Sequence, residues 1–175
     1  MRVGLRTAQR APRRASILMA AIAVTTILVV AQVGCAPAAT PQAQRTIDLI
    51  NFERAAVGLP ALRRDVNLEQ LAQNWSRHMS EQQRVFHSNA AAEAEFIGVA
   101  QFFVLFGENV GSIPIVAGEP MSASIDRAHR AFMASPGHRA AILGPWDVVG
   151  IGTFVGPCVG PGNCLWVTQR FGKVR

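Results

Sequence analysis

Two imidazoles and one carboxylate, His87, Glu108 and His138, are the side chains of this sequence best suited to chemistry. Neutral imidazole nitrogens and a carboxylate oxygen are ligands for a divalent metal. Zinc is favoured by ligand type, with water completing the shell. The same groups can instead bond to one another, sharing a proton between a histidine and Glu108 and ordering a cleft with nothing bound. No close spacing such as His-x-x-x-His selects the metal, so both readings stand. Other candidates carry simpler roles. Ser135 precedes a proline at a helix start, where capping outweighs nucleophilic catalysis. Ser88 adjoins His87, and neighbouring residues on a chain rarely face each other. His78 and His129 fall within helical stretches as surface or core-edge residues. Gly150-Ile151-Gly152-Thr153-Phe154-Val155-Gly156 resembles a dinucleotide loop, but its third glycine is misplaced and no helix follows, so it reads as a strand. Trp75, Trp146 and Trp166 read as core or cleft-wall residues.

Each of the three groups sits at the end of an element. Ser135-Pro136-Gly137-His138-Arg139 is a helix start, with serine as the cap and proline at the first helical position. His138 then lies in the first turn, near the positive end of the helix dipole. Leu68, Leu71, Ala72, Trp75 and Met79 keep helical spacing, and Asn67 with Gln70 resembles a capping box. That helix runs to about Arg84 and delivers His87. Phe102 to Phe106 is a continuous apolar run, read as a buried strand that delivers Gly107-Glu108-Asn109-Val110.

The net charge of +6 sits in the leader. Of the 17 basic side chains, five arginines precede residue 15, and the remaining twelve stand against 11 acidic ones. That balance excludes a nucleic-acid footprint. Ala15 to Val33 is apolar and uncharged, so residues 1–35 have the plan of a signal peptide. Gln32-Val33-Gly34-Cys35 is similar to a lipobox, which would make Cys35 a lipidated first residue and anchor the protein to a membrane. Cleavage after Ala36-Pro37-Ala38 and an uncleaved anchor are the alternatives. All place the folded part outside the cytoplasm. Cys158 and Cys164 flank a turn-forming insert and can pair in an oxidising compartment. Cys35 is then the odd cysteine, which lipidation would explain.

After a short linker at 36–41, residues 42–175 form the exported domain. Thr40-Pro41 predicts a helix over about 42–57, with Ala43, Ile47, Ile50 and Val57 as its apolar stripe and Gly58 as its stop. Gly58-Leu59-Pro60-Ala61-Leu62 is an apolar turn directed at the core. Asn89 to Val99 can form a short helix. A loop with Pro114, Gly118 and Pro120 precedes a helix over 122–134, whose inner face is Ile125, Ala128, Phe132 and Met133. Val148 to Val155 and Leu165 to Phe171 form a hairpin around the cysteines. The expected class is α+β, helices packed on an antiparallel sheet.

Asn51-Phe52-Glu53-Arg54, Gly58-Leu59-Pro60-Ala61-Leu62, His87-Ser88, Gly107-Glu108-Asn109, Ser135-Pro136-Gly137-His138-Arg139 and Trp166-Val167-Thr168-Gln169-Arg170-Phe171-Gly172 occur in an order that resembles the CAP superfamily. That superfamily unites cysteine-rich secretory, antigen 5 and pathogenesis-related proteins, and its bacterial branch is the most similar. The resemblance covers about residues 44–172. It implies a three-layer α-β-α sandwich with a mostly antiparallel central sheet and a cleft holding His87, Glu108 and His138. A second acid of many eukaryotic members is absent, with Ser135 in its place, and Ala141 stands where asparagine is common.

Two functions follow from the resemblance. One is a non-catalytic extracytoplasmic binding module for a lipid or sterol, an envelope component or a protein. In that reading Phe102–Phe106 and Ile113-Pro114-Ile115-Val116 could line a lipid groove, although core is the favoured role for them. The alternative is a metal-dependent hydrolase with His87 and His138 as ligands and Glu108 as ligand or general base. The absence of an identifiable nucleophile or oxyanion motif favours the binding module.

Overall fold

Helix α1, Pro41–Ala56, starts where Thr40 and Pro41 predict it. The Thr40 hydroxyl accepts the Ala43 N–H, and proline at the first helical position sacrifices no intrahelical bond. Gly58, at φ +76°, turns the chain out of the helix. The computed structural model describes residues 38–88 and 101–175. The leader with Cys35, the first two linker residues and the helix expected over Asn89–Val99 lie outside the described residues.

The chain continues through β1 (Arg63–Arg64), α2 (Val66–Glu81), β2 (Phe103–Pro114), α3 (Met121–Ala134), α4 (Pro136–Ile142), β3 (Val148–Pro157) and β4 (Asn163–Val174). The strands lie in the order β1-β3-β4-β2. β1 pairs parallel with β3, and the other two pairings are antiparallel, so the sheet is mixed and mostly antiparallel. The β3–β4 hairpin forms as expected, and Cys158 and Cys164 are joined at its turn. Closing so short a loop contributes about 2–3 kcal/mol.

The sheet separates two helical layers. Along β3, Gly150, Gly152 and Gly156 recur at spacings of two and four, so their missing side chains all point to one face. A Cβ at Gly150 would overlap the backbone at Leu68–Glu69, one at Gly152 the backbone at Ala72, and one at Gly156 the Ser80 hydroxyl. These glycines let α2 lie directly on the strand. Ser76, fully buried, donates to the Gly152 carbonyl and reaches the Thr168 hydroxyl at 2.9 Å. On the opposite face, Val149, Ile151, Leu165, Val167 and Phe171 pack with Ile47 and Ile50 of α1, Ile125 and Phe132 of α3, and Ile142 of α4. The result is the α-β-α sandwich. Among the described residues no helix is long and apolar enough to cross a membrane.

Four local expectations are corrected. Asp65 rather than Asn67 caps α2, accepting the Asn67 and Leu68 N–H groups. Its own N–H is held by Val149, so the sheet sets the helix start. The stripe of α1 closes on buried Arg54, one residue row inward of exposed Val57. Of the Gly58–Leu62 turn, only Leu62 is buried. The run Phe102–Phe106 is largely exposed: Phe103 is buried, whereas Phe102, Val104, Leu105 and Phe106 are open. β2 is an edge strand with a register shift between Phe103 and Leu105, so consecutive apolar residues face outward.

Candidate functional site

The site straddles edge strand β2. Successive residues of a strand point to opposite faces, so Glu108 and Asn109 serve the two layers separately. Opposite them in register on β4 stand Arg170 and Gln169.

On the α2 face, the segment after α2 carries His87 to Glu108. Phe86 packs edge-on against Trp75, whose indole N–H donates to the Phe86 carbonyl at 3.0 Å. His78 packs against both rings. His87 Nδ1 lies 3.0 Å from Glu108 Oε1, and the Ser88 N–H donates to the same oxygen at 2.9 Å. A carboxylate only accepts, so His87 Nδ1 carries a proton and donates it. The His87 side chain is 62% exposed and that of Glu108 13%. Glu108 Oε2, buried and without a hydrogen bond, faces Arg170 Nε at 3.4 Å.

On the other face, Asn109 Nδ2 donates to the His138 carbonyl and to Gln169 Oε1, both at 3.0 Å. This buried amide ties α4 to the sheet. The His138 ring meets Phe132 edge-on at 4.9 Å. Burial lowers its pKa, and the neighbouring charge of His87 lowers it further. Beside it a cavity of about 240 Å³ opens between β2 and α3, lined by Val110, Ile113, Ala128, Phe132 and Val167, with Ser112, Ser135 and His138 as its polar residues. Ser135 does not cap α4 through its hydroxyl. It is the single residue between α3 and α4, and its backbone serves both: its N–H goes to Phe132, and its carbonyl takes the Arg139 N–H.

His87 and Glu108 are thus in contact, and His138 is near enough for the charge of His87 to act on it. Among the described residues no three His, Cys, Asp or Glu side chains are grouped to hold a metal ion. The donor set expected for zinc does not converge. Glu108 turns both oxygens to protein partners, and a guanidinium occupies the position beside it. His129, expected at a surface or core edge, is 5% exposed between α1 and α3, with Glu53 Oε1 3.6 Å from its Nε2. Trp166 is core, and Trp75 and Trp146 are half-buried walls.

Sequence reasoning assigned no role to Asn109, Gln169, Arg170 or Arg54. The first three lie in strands otherwise read by their apolar residues. A run of polar residues inside a central strand was the available signal.

A model of the cysteine-rich secretory protein (CAP) family matches residues 47–171, more than half of the chain. The chain belongs to this family. His87, Glu108, His138 and Arg170 all fall within the matched span. Three solved structures share the fold. An outer surface protein of Borrelia burgdorferi is 21% identical with a TM-score of 0.56, covering 75% of this chain and 92% of its own. An extracellular SCP-domain protein of Bacillus anthracis is 21% identical with a TM-score of 0.52, over 78% of this chain and 45% of its own. A cysteine-rich secretory protein of Staphylococcus aureus is 17% identical with a TM-score of 0.53, over 75% and 38%. The chain therefore spans less than half the length of the latter two. No curated protein sequence matches it.

Proposed function

We propose that this CAP protein is an exported, non-catalytic binding module whose cleft receives the apolar part of a lipid, sterol or envelope component. The observation that carries this reading is the cavity beside His138, whose walls are mainly apolar, with Ser112, Ser135 and His138 as its polar residues. Such concave, mainly apolar sites with a few polar groups are the usual form of small-molecule pockets. At about 240 Å³ it exceeds the ~150 Å³ that accommodates benzene and falls below the 300–1,000 Å³ typical of drug-sized ligands. It is sized for an alkyl or ring segment rather than a whole lipid. The exposed Val104, Leu105 and Phe106 add apolar surface on the same strand.

Export is supported by the Cys158–Cys164 disulfide, the signal-like leader, and the outer-surface and extracellular descriptions of the Borrelia and Bacillus proteins. Acylation at Cys35 would hold the module at a membrane. A hydrolase gains no comparable support, since Glu108, its general base, is engaged by His87, Ser88 and Arg170.

The test is a titration of the purified protein with fluorescent fatty-acid and sterol probes. Saturable binding, displaced by the unlabelled compound, is expected with one class. Absence of saturable binding to every lipid probe, with turnover of a peptide or ester, would overturn the reading.

A further inference from the structure

The cleft carries its own cation. Arg170 is 3% exposed and stands directly across from Glu108 in the β2–β4 register, with Nε 3.4 Å from Oε2. A guanidinium stays protonated at any physiological pH, so the positive charge is permanent. The other Glu108 oxygen is occupied by the His87 Nδ1–H and the Ser88 N–H. A divalent ion approaching the carboxylate would meet a buried like charge beside the same oxygen. In so dry a surrounding that repulsion is weakly screened.

We infer that Arg170 is a specificity-determining residue that occupies the metal's electrostatic place and denies Glu108 to divalent cations. In this chain the CAP cleft works as a His87–Glu108–Arg170 network. His87 is ordered by the carboxylate, and the cleft presents the exposed imidazole rather than an open carboxylate. This inference is independent of which ligand the cavity takes.

Zinc chloride titrated into the full chain, followed by calorimetry, tests it. Because other groups of the chain can bind zinc, the readout is the part of the binding that depends on Glu108. Wild type and Glu108→Gln are expected to bind zinc alike, within twofold. Arg170→Gln is expected to gain a site at least tenfold tighter, lost again when Glu108→Gln is added. Arg170→Lys, which keeps the charge, is expected to behave as wild type. A wild-type site weakened tenfold by Glu108→Gln would overturn the inference, as would a folded Arg170→Gln protein that binds zinc no better. Zinc-dependent thermal stabilisation of wild type that disappears in Glu108→Gln would also overturn it, whether or not Arg170→Gln folds.

Discussion

The two faces of the sheet solve packing by opposite means, and the two cleft histidines inherit the difference. On the α2 face, glycines bring helix and strand backbones together, and polar groups fill what remains: Ser76, Thr168, and the Glu108–Arg170 pair. His87 belongs to this face, exposed and held by a carboxylate. On the other face, side chains interdigitate in an apolar core that is incompletely filled beside β2. His138 belongs there, half-buried, against an aromatic ring and beside a cavity. A face packed backbone to backbone has no room for a ligand. A face packed side chain to side chain can leave a hole, and this one does.

The sharpest way to break the contrast is to remove a charge buried inside the apolar face. Arg54, fully buried, donates to the carbonyls of Pro60, Ile142, Gly144 and Trp146, joining α1 to the end of α4 and the loop after it. Burial lowers its pKa, and the field of Asp147 opposes that shift. Hydrogen bonds to charged groups contribute about 1.5–3 kcal/mol each, and several carbonyls are stranded together, so Arg54→Met is expected to cost about 4 kcal/mol in denaturant unfolding. Next comes the glycine face. Gly152→Ala places a methyl group into the Ala72 backbone, which cannot rotate aside, and is expected to cost about 3 kcal/mol.

Acid sharpens the comparison at smaller amplitude. Burial depresses the pKa of His129, against the opposing pull of Glu53, and also that of His138. A histidine with a lower pKa in the folded chain takes its proton more readily when unfolded. Stability is therefore retained above the unfolded value of about 6.5 and lost as pH falls below it, down to the folded pKa. His129→Leu is expected to flatten that loss, measured as the difference in melting temperature between pH 7.5 and 5. His87→Ala removes an exposed imidazole and leaves Glu108 its Ser88 and Arg170 partners, so it is expected to cost less than about 1 kcal/mol at neutral pH.

What could be read in the sequence was whatever local chemistry decides. Thr40-Pro41 set the start of α1, the glycine-rich insert closed the hairpin, and the motif order brought His87 to Glu108. What could not be read depended on partners distant in the chain. Arg54 continues the Ala43, Ile47, Ile50 stripe, but a charge there looks like surface until carbonyls some ninety residues on are seen to receive it. Phe102–Phe106 looks buried because it is apolar, and only its place at the sheet edge exposes it. The Ser135 hydroxyl looks like a cap until α3 is found to end one residue before it. Arg170 looks like one more strand residue until its register sets it against Glu108.

The central claim is that ligand enters on the His138 face, and blocking the cavity tests it most directly. Ala131 lines the cavity from an exposed position on α3, so a tryptophan there can fill the opening without disturbing the core. With the fatty-acid or sterol probe that binds wild type, Ala131→Trp is expected to weaken affinity at least tenfold, while His87→Ala changes it less than twofold. Unchanged affinity in a folded Ala131→Trp protein, or a tenfold loss in His87→Ala, would contradict the account.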